Sequence, residues 1–242
     1  MSAPVLEARG LSVRFGGLVA LSEFDLTVGN DEFVGVIGPN GAGKTTMFNA
    51  ISGAVRPTSG ELLIHGESMA GRPQHRIARC GVARTYQTPR VFAEMTVREN
   101  VELVRDVTVA NGREAGSVDK ILERLDLGSS RDTLGRELPP ARQRLLEIGM
   151  ALAVRPTLLL LDEVAAGLTE GEIKNVALLI RSLRTEHGFS VIWIEHAVKI
   201  LLGAVDRVVV LNKGTKIADG TPRVVVADPV VIEAYLGTRA DA

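Results

Sequence analysis

Cysteine is almost missing from this chain, and so is any excess of charge. The single cysteine, Cys80, excludes an internal disulfide. There are 28 basic residues against 29 acidic ones, and no basic run stands out. Nothing in that balance would gather nucleic acid, so none is expected as a partner. Long apolar runs are missing as well. Charges such as Glu195, Lys199 and Asp206 interrupt the most apolar stretches before they reach the roughly 18 residues that a membrane span needs. The opening Met1-Ser-Ala-Pro-Val-Leu-Glu7 carries no basic-then-apolar leader. These absences predict a cytosolic chain that reaches a membrane only through a partner. Internal repeats and low-complexity tracts are absent from the sequence too, and no room is expected for a C-terminal regulatory domain.

What is present is more telling. With 242 residues and 45% hydrophobic content, the sequence suits one α/β unit with an insertion. Gly38-Pro-Asn-Gly-Ala-Gly-Lys-Thr45 matches the G-x-x-x-x-G-K-[ST] phosphate loop at each required position. An apolar run, Phe33 to Ile37, leads in, and a helix-compatible run from Thr46 to Ser52 leads out. Glycines let successive N–H groups turn toward one point, and the helix N-terminus adds partial positive charge, so the loop forms an anion cradle. Lys44 is expected on the β- and γ-phosphates and the Thr45 hydroxyl on Mg²⁺, with Asn40, Gly41, Ala42, Gly43 and Thr46 completing the contacts to a nucleoside triphosphate.

A second element bears on hydrolysis. Leu158 to Leu161 reads as a buried strand ending in Asp162-Glu163, two carboxylates at the carboxyl end where open α/β sheets bind ligands. Asp162 is expected to hold the metal through water, and Glu163 to act as general base toward the attacking water.

Elsewhere the pattern predicts a small antiparallel sheet. Its strands are Leu6 to Arg9, Leu11 to Phe15 and Leu18 to Leu21, with a Gly16-Gly17 turn, and a further strand within Gly60 to Gly66. Residues 88–156 change to helical periodicity, with amphipathic pieces at Val97 to Val104 and Val118 to Leu125. The parallel sheet resumes with Thr157 to Leu161, Ser190 to Ile194 and Arg207 to Leu211, the first two separated by a helical segment from Glu170 to Arg184. Asn212-Lys-Gly214 then turns into Thr215 to Ala218. His75 and His187 are expected at the surface, Trp193 in the core, and Arg72, Arg76, Arg79 and Arg84 on solvated faces.

With these motifs in place the sequence resembles the ATP-binding cassette ATPases along nearly its whole length. The resemblance implies a P-loop NTPase fold with a RecA-like parallel sheet core and a β subdomain, drawn from 1–87 and 157–242, and an inserted helical subdomain at 88–156. It gives Gln87, in Arg84-Thr-Tyr-Gln87, the role of a Mg²⁺ contact that links the nucleotide site to transmembrane subunits. His196, in Trp193-Ile-Glu-His196, becomes a catalytic contact to the γ-phosphate. Phe15 falls where the family stacks an aromatic ring on adenine, with Val19 and Ala20 lining the same pocket.

Glu147-Ile-Gly-Met150, Asp162 to Leu168 and the ending Val231-Ile-Glu-Ala-Tyr-Leu-Gly237 look like ATPase subunits of importers for branched-chain amino acids and related amides such as urea. The resemblance implies a peripheral subunit at the cytoplasmic membrane face. Its implied partners are permease subunits, a second ATPase subunit and, indirectly, a substrate-binding protein. A lipid or lipopolysaccharide exporter, and a nucleotide-binding assembly or regulatory subunit with little turnover, are the alternatives.

The family's Leu-Ser-Gly-Gly-Gln signature reads Leu138-Pro-Pro-Ala-Arg142 here. Pro139 has neither hydroxyl nor N–H and Pro140 has no N–H, while Arg142 adds a charge that could contact phosphate. The following helix is expected to keep Leu145, Ile148, Gly149 and Leu152 as its buried face. Val164 replaces a usual proline, and Thr169 the aspartate of the D-loop.

Overall fold

The computed structural model describes residues 3–165 and 167–236. Gly237 of the C-terminal motif and Ala166 lie outside the described residues. The chain opens with β1 (Leu6–Phe15), β2 (Leu18–Val28), β3 (Phe33–Ile37), α1 (Lys44–Ile51), β4 (Ser59–Ile64), β5 (Glu67–Ser68), α2 (Gln74–Arg79) and β6 (Val82–Arg84). Three successive helices follow, α3 (Val97–Ala110), α4 (Val118–Arg124) and α5 (Pro140–Ala153). Alternation then returns with β7 (Leu158–Asp162), α6 (Glu170–His187), β8 (Ser190–Ile194), α7 (Val198–Ala204), β9 (Arg207–Asn212), β10 (Thr215–Gly220), α8 (Pro222–Val226) and α9 (Pro229–Leu236).

Six strands form one sheet in the order β10-β9-β3-β8-β7-β6, parallel except for the β9–β10 hairpin at its edge. Strands β3, β7 and β8 are buried along their whole length, which explains why they read as unbroken apolar runs and not as alternating ones. Their period of two divides the core. Phe33, Leu159, Leu161, Val191 and Trp193 pack with the helices on one face, whereas Val34, Leu158, Leu160, Ile192 and Ile194 pack with Phe24, Met47 and Phe48 on the other. Trp193 is fully buried and stacks on Phe33 at 5.9 Å between centroids.

The second sheet is antiparallel, in the order β2-β1-β4-β5. The two short strands expected at Leu6 to Phe15 are one continuous strand, whose register shifts near Ala8 to Leu11 against β2 absorb the irregularity without breaking it. Helices begin where the sequence offers caps: Thr96 with Glu99 at α3 and Thr169 with Glu172 at α6 form reciprocal capping boxes. Thr169 is thus the N-cap of α6. Pro140 opens α5 at a position where a missing N–H costs no helical bond. Ile148, Gly149 and Leu152 of α5 are buried as expected, while Leu145 is half-buried and Leu146 fully buried.

Candidate nucleotide site

The phosphate loop leaves the carboxyl end of β3 and enters α1 at Lys44. Two glycines are sterically required. A Cβ on Gly38 would stand 2.2 Å from the Leu211 carbonyl oxygen, and one on Gly43, at φ +102°, 2.6 Å from that of Ala20. The β9–β10 turn braces the loop, since Gly214 donates its N–H to Ala42 O at 2.9 Å and accepts from Ser22 N at 2.8 Å. Lys44 is buried, and its Nζ donates to the carbonyls of Gly38 at 2.7 Å and Pro39 at 3.2 Å. Burial lowers its pKa below the ordinary lysine value, opposed by the charges of Glu163 and Asp162.

A cleft of about 560 Å³ opens over this loop. It is lined by Asn40, Gly41, Ala42, Gly43, Lys44, Thr45 and Thr46 of the loop, by Phe15, Val19 and Ala20, and by Glu163 and His196. Phe15 is half-exposed, with its ring free to take a planar ligand. Leu18 and Lys213 also line the cleft, and sequence reading missed both. Lys213 sits in the β9–β10 turn with φ +46°, and a lone turn lysine carries no motif that would flag it.

Glu163 follows β7 and His196 follows β8, so neighbouring parallel strands deliver them side by side. His196 Nε2 lies 2.9 Å from Glu163 Oε1, and Gln87 Nε2 donates to Glu163 Oε2 at 2.7 Å. Glu163 adopts φ +48°, a left-handed conformation that costs a non-glycine residue about 1–3 kcal/mol and persists only where the surroundings fix it. Asp162 and Gln87 do not line the cleft itself. Asp162 is buried one residue before Glu163, and Gln87 is an exposed residue whose side chain reaches across to that carboxylate.

Several contributors were not foreseen. Arg84, expected on a solvated face, is nearly buried: it donates to Asp162 Oδ2 at 2.7 Å, to Asn49 Oδ1 at 2.8 Å and to Ser52 Oγ at 2.9 Å. Burial next to an apolar strand requires a counter-charge, and Asp162 supplies it. Burial raises the Asp162 pKa, and the Arg84 hydrogen bond opposes the rise. On α5, buried Arg144 and Glu147 pair at 2.8 Å and clamp the segment that carries Gln87. Glu147 accepts from Tyr86 N at 3.1 Å and Arg90 N at 3.0 Å, while Arg144 donates to the carbonyls of Tyr86 and Gln87. These partners lie far apart in sequence, so spacing gave no signal. Arg142 donates to Ser130 Oγ at 2.8 Å and faces Asp126, contacts within its own helical region. His75 and His187 are exposed as expected.

A glycine-built anion cradle at the end of a parallel strand, followed by two acidic residues at the end of its second neighbour, defines a P-loop nucleotide triphosphatase. Residues 21–166 match the ABC transporter family, and residues 215–241 match a C-terminal family described as branched-chain amino acid ATP-binding cassette transporter. The chain is 40% identical to the high-affinity branched-chain amino acid transport ATP-binding proteins BraF of Pseudomonas aeruginosa and LivG of Escherichia coli, covering 98% of itself and 99% of each relative. It is 35% identical to the lipopolysaccharide export system ATP-binding protein LptB of Haemophilus influenzae, covering 97% of itself and 98% of that protein. Among solved structures, the ADP conformation of an ATP-binding cassette of an ABC transporter matches with a TM-score of 0.85 and 28% identity, over 98% of this chain and 100% of that one. The chain belongs to the ABC transporter family, and it is an ATP-binding subunit within it. Among the described residues, no helix is long and apolar enough to cross a membrane.

Proposed function

We propose that this chain hydrolyses ATP to drive an importer of branched-chain amino acids or related small amides, seated at the cytoplasmic face of the cell membrane. The observation that carries the proposal is the Glu163 carboxylate held between Gln87 and His196 at the edge of the Lys44 cleft. Its partners are permease subunits, a second ATPase subunit and, through the permease, a substrate-binding protein. The choice of solute rests on the 40% identity with branched-chain amino acid transport proteins and on the matching C-terminal segment. Residues 1–87 and 157–242 act in this reading as the nucleotide-binding core, and 88–156 as the helical part.

The residues fit MgATP. The Gly38 and Gly43 close approaches leave the loop backbone open to phosphate, and Lys44 already donates to two carbonyls that phosphate oxygens would replace. When bound, MgATP supplies the transferable phosphoryl group and the divalent charge that neutralises it. Thr45, Asp162 and Gln87 are the residues to hold the metal, Asp162 with one oxygen already committed to Arg84. Phe15 offers its face to adenine, with Val19 and Ala20 beside it. Glu163 takes the proton of the attacking water, and His196 fixes that carboxylate and contacts the γ-phosphate.

A groove of about 610 Å³ beside the segment carrying Gln87, lined by Tyr86, Arg90, Phe92, Leu103, Val107 and Met150, is the surface offered to a permease segment. Reconstitution with the partner subunits in proteoliposomes tests the proposal. ATP-dependent accumulation of leucine or urea is expected; ATP-dependent release of a lipid instead would favour the export reading that the 35% identity to a lipopolysaccharide export protein keeps alive.

A further inference from the structure

Glu195 lies between Ile194, the last residue of β8, and His196, and it is buried to 3% exposure. Its position would suit an apolar residue, yet its carboxylate gathers four donors. Oε2 accepts from Ala165 N at 3.0 Å and from Trp193 Nε1 at 3.2 Å, and Oε1 from His196 N at 2.9 Å. The Ala197 N–H also faces it. A buried anion persists only when its acceptor sites are filled, and here the protein fills them with backbone N–H groups from two separate loops and with the Trp193 indole of β8.

Those loops are the ones that matter for Glu163. Ala165 stands two residues beyond it, in the turn leaving β7, and His196 is its side-chain partner. The Glu163 N–H is itself tied to Ile194 O at 2.9 Å. Glu163 keeps its left-handed φ only if the turn after it is anchored, and the Glu195 carboxylate is an anchor that reaches both Ala165 and His196.

We infer that Glu195 is a positioning residue: its carboxylate locks the turn after Glu163 to the backbone of His196, so that base and histidine meet at their 2.9 Å separation. The inference rests on the reading of Glu163 and His196 as the hydrolytic pair. An amide cannot replace it, because the NH₂ of glutamine would face an N–H donor at one of the two oxygens. Among the described residues, no hydrogen bond or ion pair joins Glu195 to the phosphate loop, so ATP binding should be spared.

The test compares the parent complex with Glu195→Gln, Glu195→Asp, His196→Ala and the double variant Glu195→Gln/His196→Ala. Glu195→Gln should lower kcat for ATP about ten- to hundredfold and leave the dissociation constant for ATP within about threefold. In the His196→Ala background the same change should cost little more, because the two residues act as one unit. Glu195→Asp, which keeps the charge but shortens the reach, should fall between parent and glutamine and serves if Glu195→Gln does not fold. Parental turnover in Glu195→Gln would overturn the inference, as would fully additive losses in the double variant or a parallel loss of ATP binding and thermal stability. If Glu163→Gln itself turned over normally, the hydrolytic reading would fail instead, which separates the two claims.

Discussion

Glu163 Oε1 lies 2.9 Å from His196 Nε2, although 33 positions separate the two residues in the chain. Adjacent parallel strands β7 and β8 bring them together, with Asp162 in register opposite Ile194. Gln87 closes the other side of the same carboxylate from the end of a third strand, β6. Loss of the Gln87 contact should therefore misplace the base without disturbing the phosphate loop. Gln87→Ala is expected to lower kcat about tenfold with ATP affinity little changed, by phosphate release and nucleotide titration on the same preparation. Equal losses in affinity and turnover would instead make Gln87 chiefly a binding residue.

Lys44 provides a pH dependence. Burial lowers its pKa, so it sheds its proton at a lower pH than an ordinary lysine, near about 10.4, would. Affinity for the triphosphate needs the ammonium form, and it is predicted to fall as pH rises through that lowered value. The fall should begin on the acid side of the ordinary lysine range. Lys44→Met should bind weakly, by about 1.5–3 kcal/mol, and with no such fall. Titration of a fluorescent ATP analogue at increasing alkaline pH decides it; parental affinity that stays flat into the ordinary lysine range would contradict the assignment.

Arg84 and Asp162 are a buried ion pair, with side chains 7% and 3% exposed. Removing one member leaves the other charged and unpaired, so Arg84→Met should destabilise the fold by about 3–5 kcal/mol. Chemical denaturation measures the change. A loss below about 1 kcal/mol would mean that water or another group repairs the site.

How much of this was legible in the sequence depended on distance along the chain. The phosphate loop and its flanking strand and helix are contiguous, and so is Leu158 to Glu163, and both were readable because their periodicity and spacing are local. The capping boxes at Thr96 and Thr169 are local as well. Arg84, Arg144, Glu147 and Glu195 were not readable as site residues, because each acquires its partner only when strands or helices meet. Arg84 and Asp162 are 78 positions apart, and Arg144 and Tyr86 are 58 apart. Glu195 entered the sequence reading merely as a charge interrupting an apolar run. The β6 strand, three residues long, is too short for period-two alternation to reveal.

Phe92 is half-exposed on the groove beside the segment carrying Gln87, while Val91 and Met95 are half-buried. Phe92→Asp should release the subunit from membranes containing its permease and leave the thermal melting midpoint within a few degrees of the parent. Co-sedimentation with permease-containing vesicles reads the first and a thermal melt the second. Retained sedimentation would move the docking surface elsewhere.

The Leu138 to Arg142 segment predicts an asymmetric pair of sites in a complex with a second, different ATPase subunit. Pro139 offers neither a hydroxyl nor an N–H, Pro140 offers no N–H, and the Arg142 guanidinium is engaged with Ser130, so the segment lacks the hydroxyl and some of the amide contacts of the family's signature. Glu163→Gln in this subunit should then nearly abolish turnover by the complex, whereas the matching change in the partner should be much milder. Equal losses would refute the asymmetry.

The most direct measurement of the central claim is steady-state phosphate release by the reconstituted complex, parent against Glu163→Gln, with ATP binding recorded alongside. The predicted result is parental ATP affinity with hydrolysis nearly abolished, since only the base is removed while Lys44 and its loop stay in place. Hydrolysis at the parental rate in Glu163→Gln would contradict the claim that this carboxylate, held by Gln87 and His196, drives the reaction.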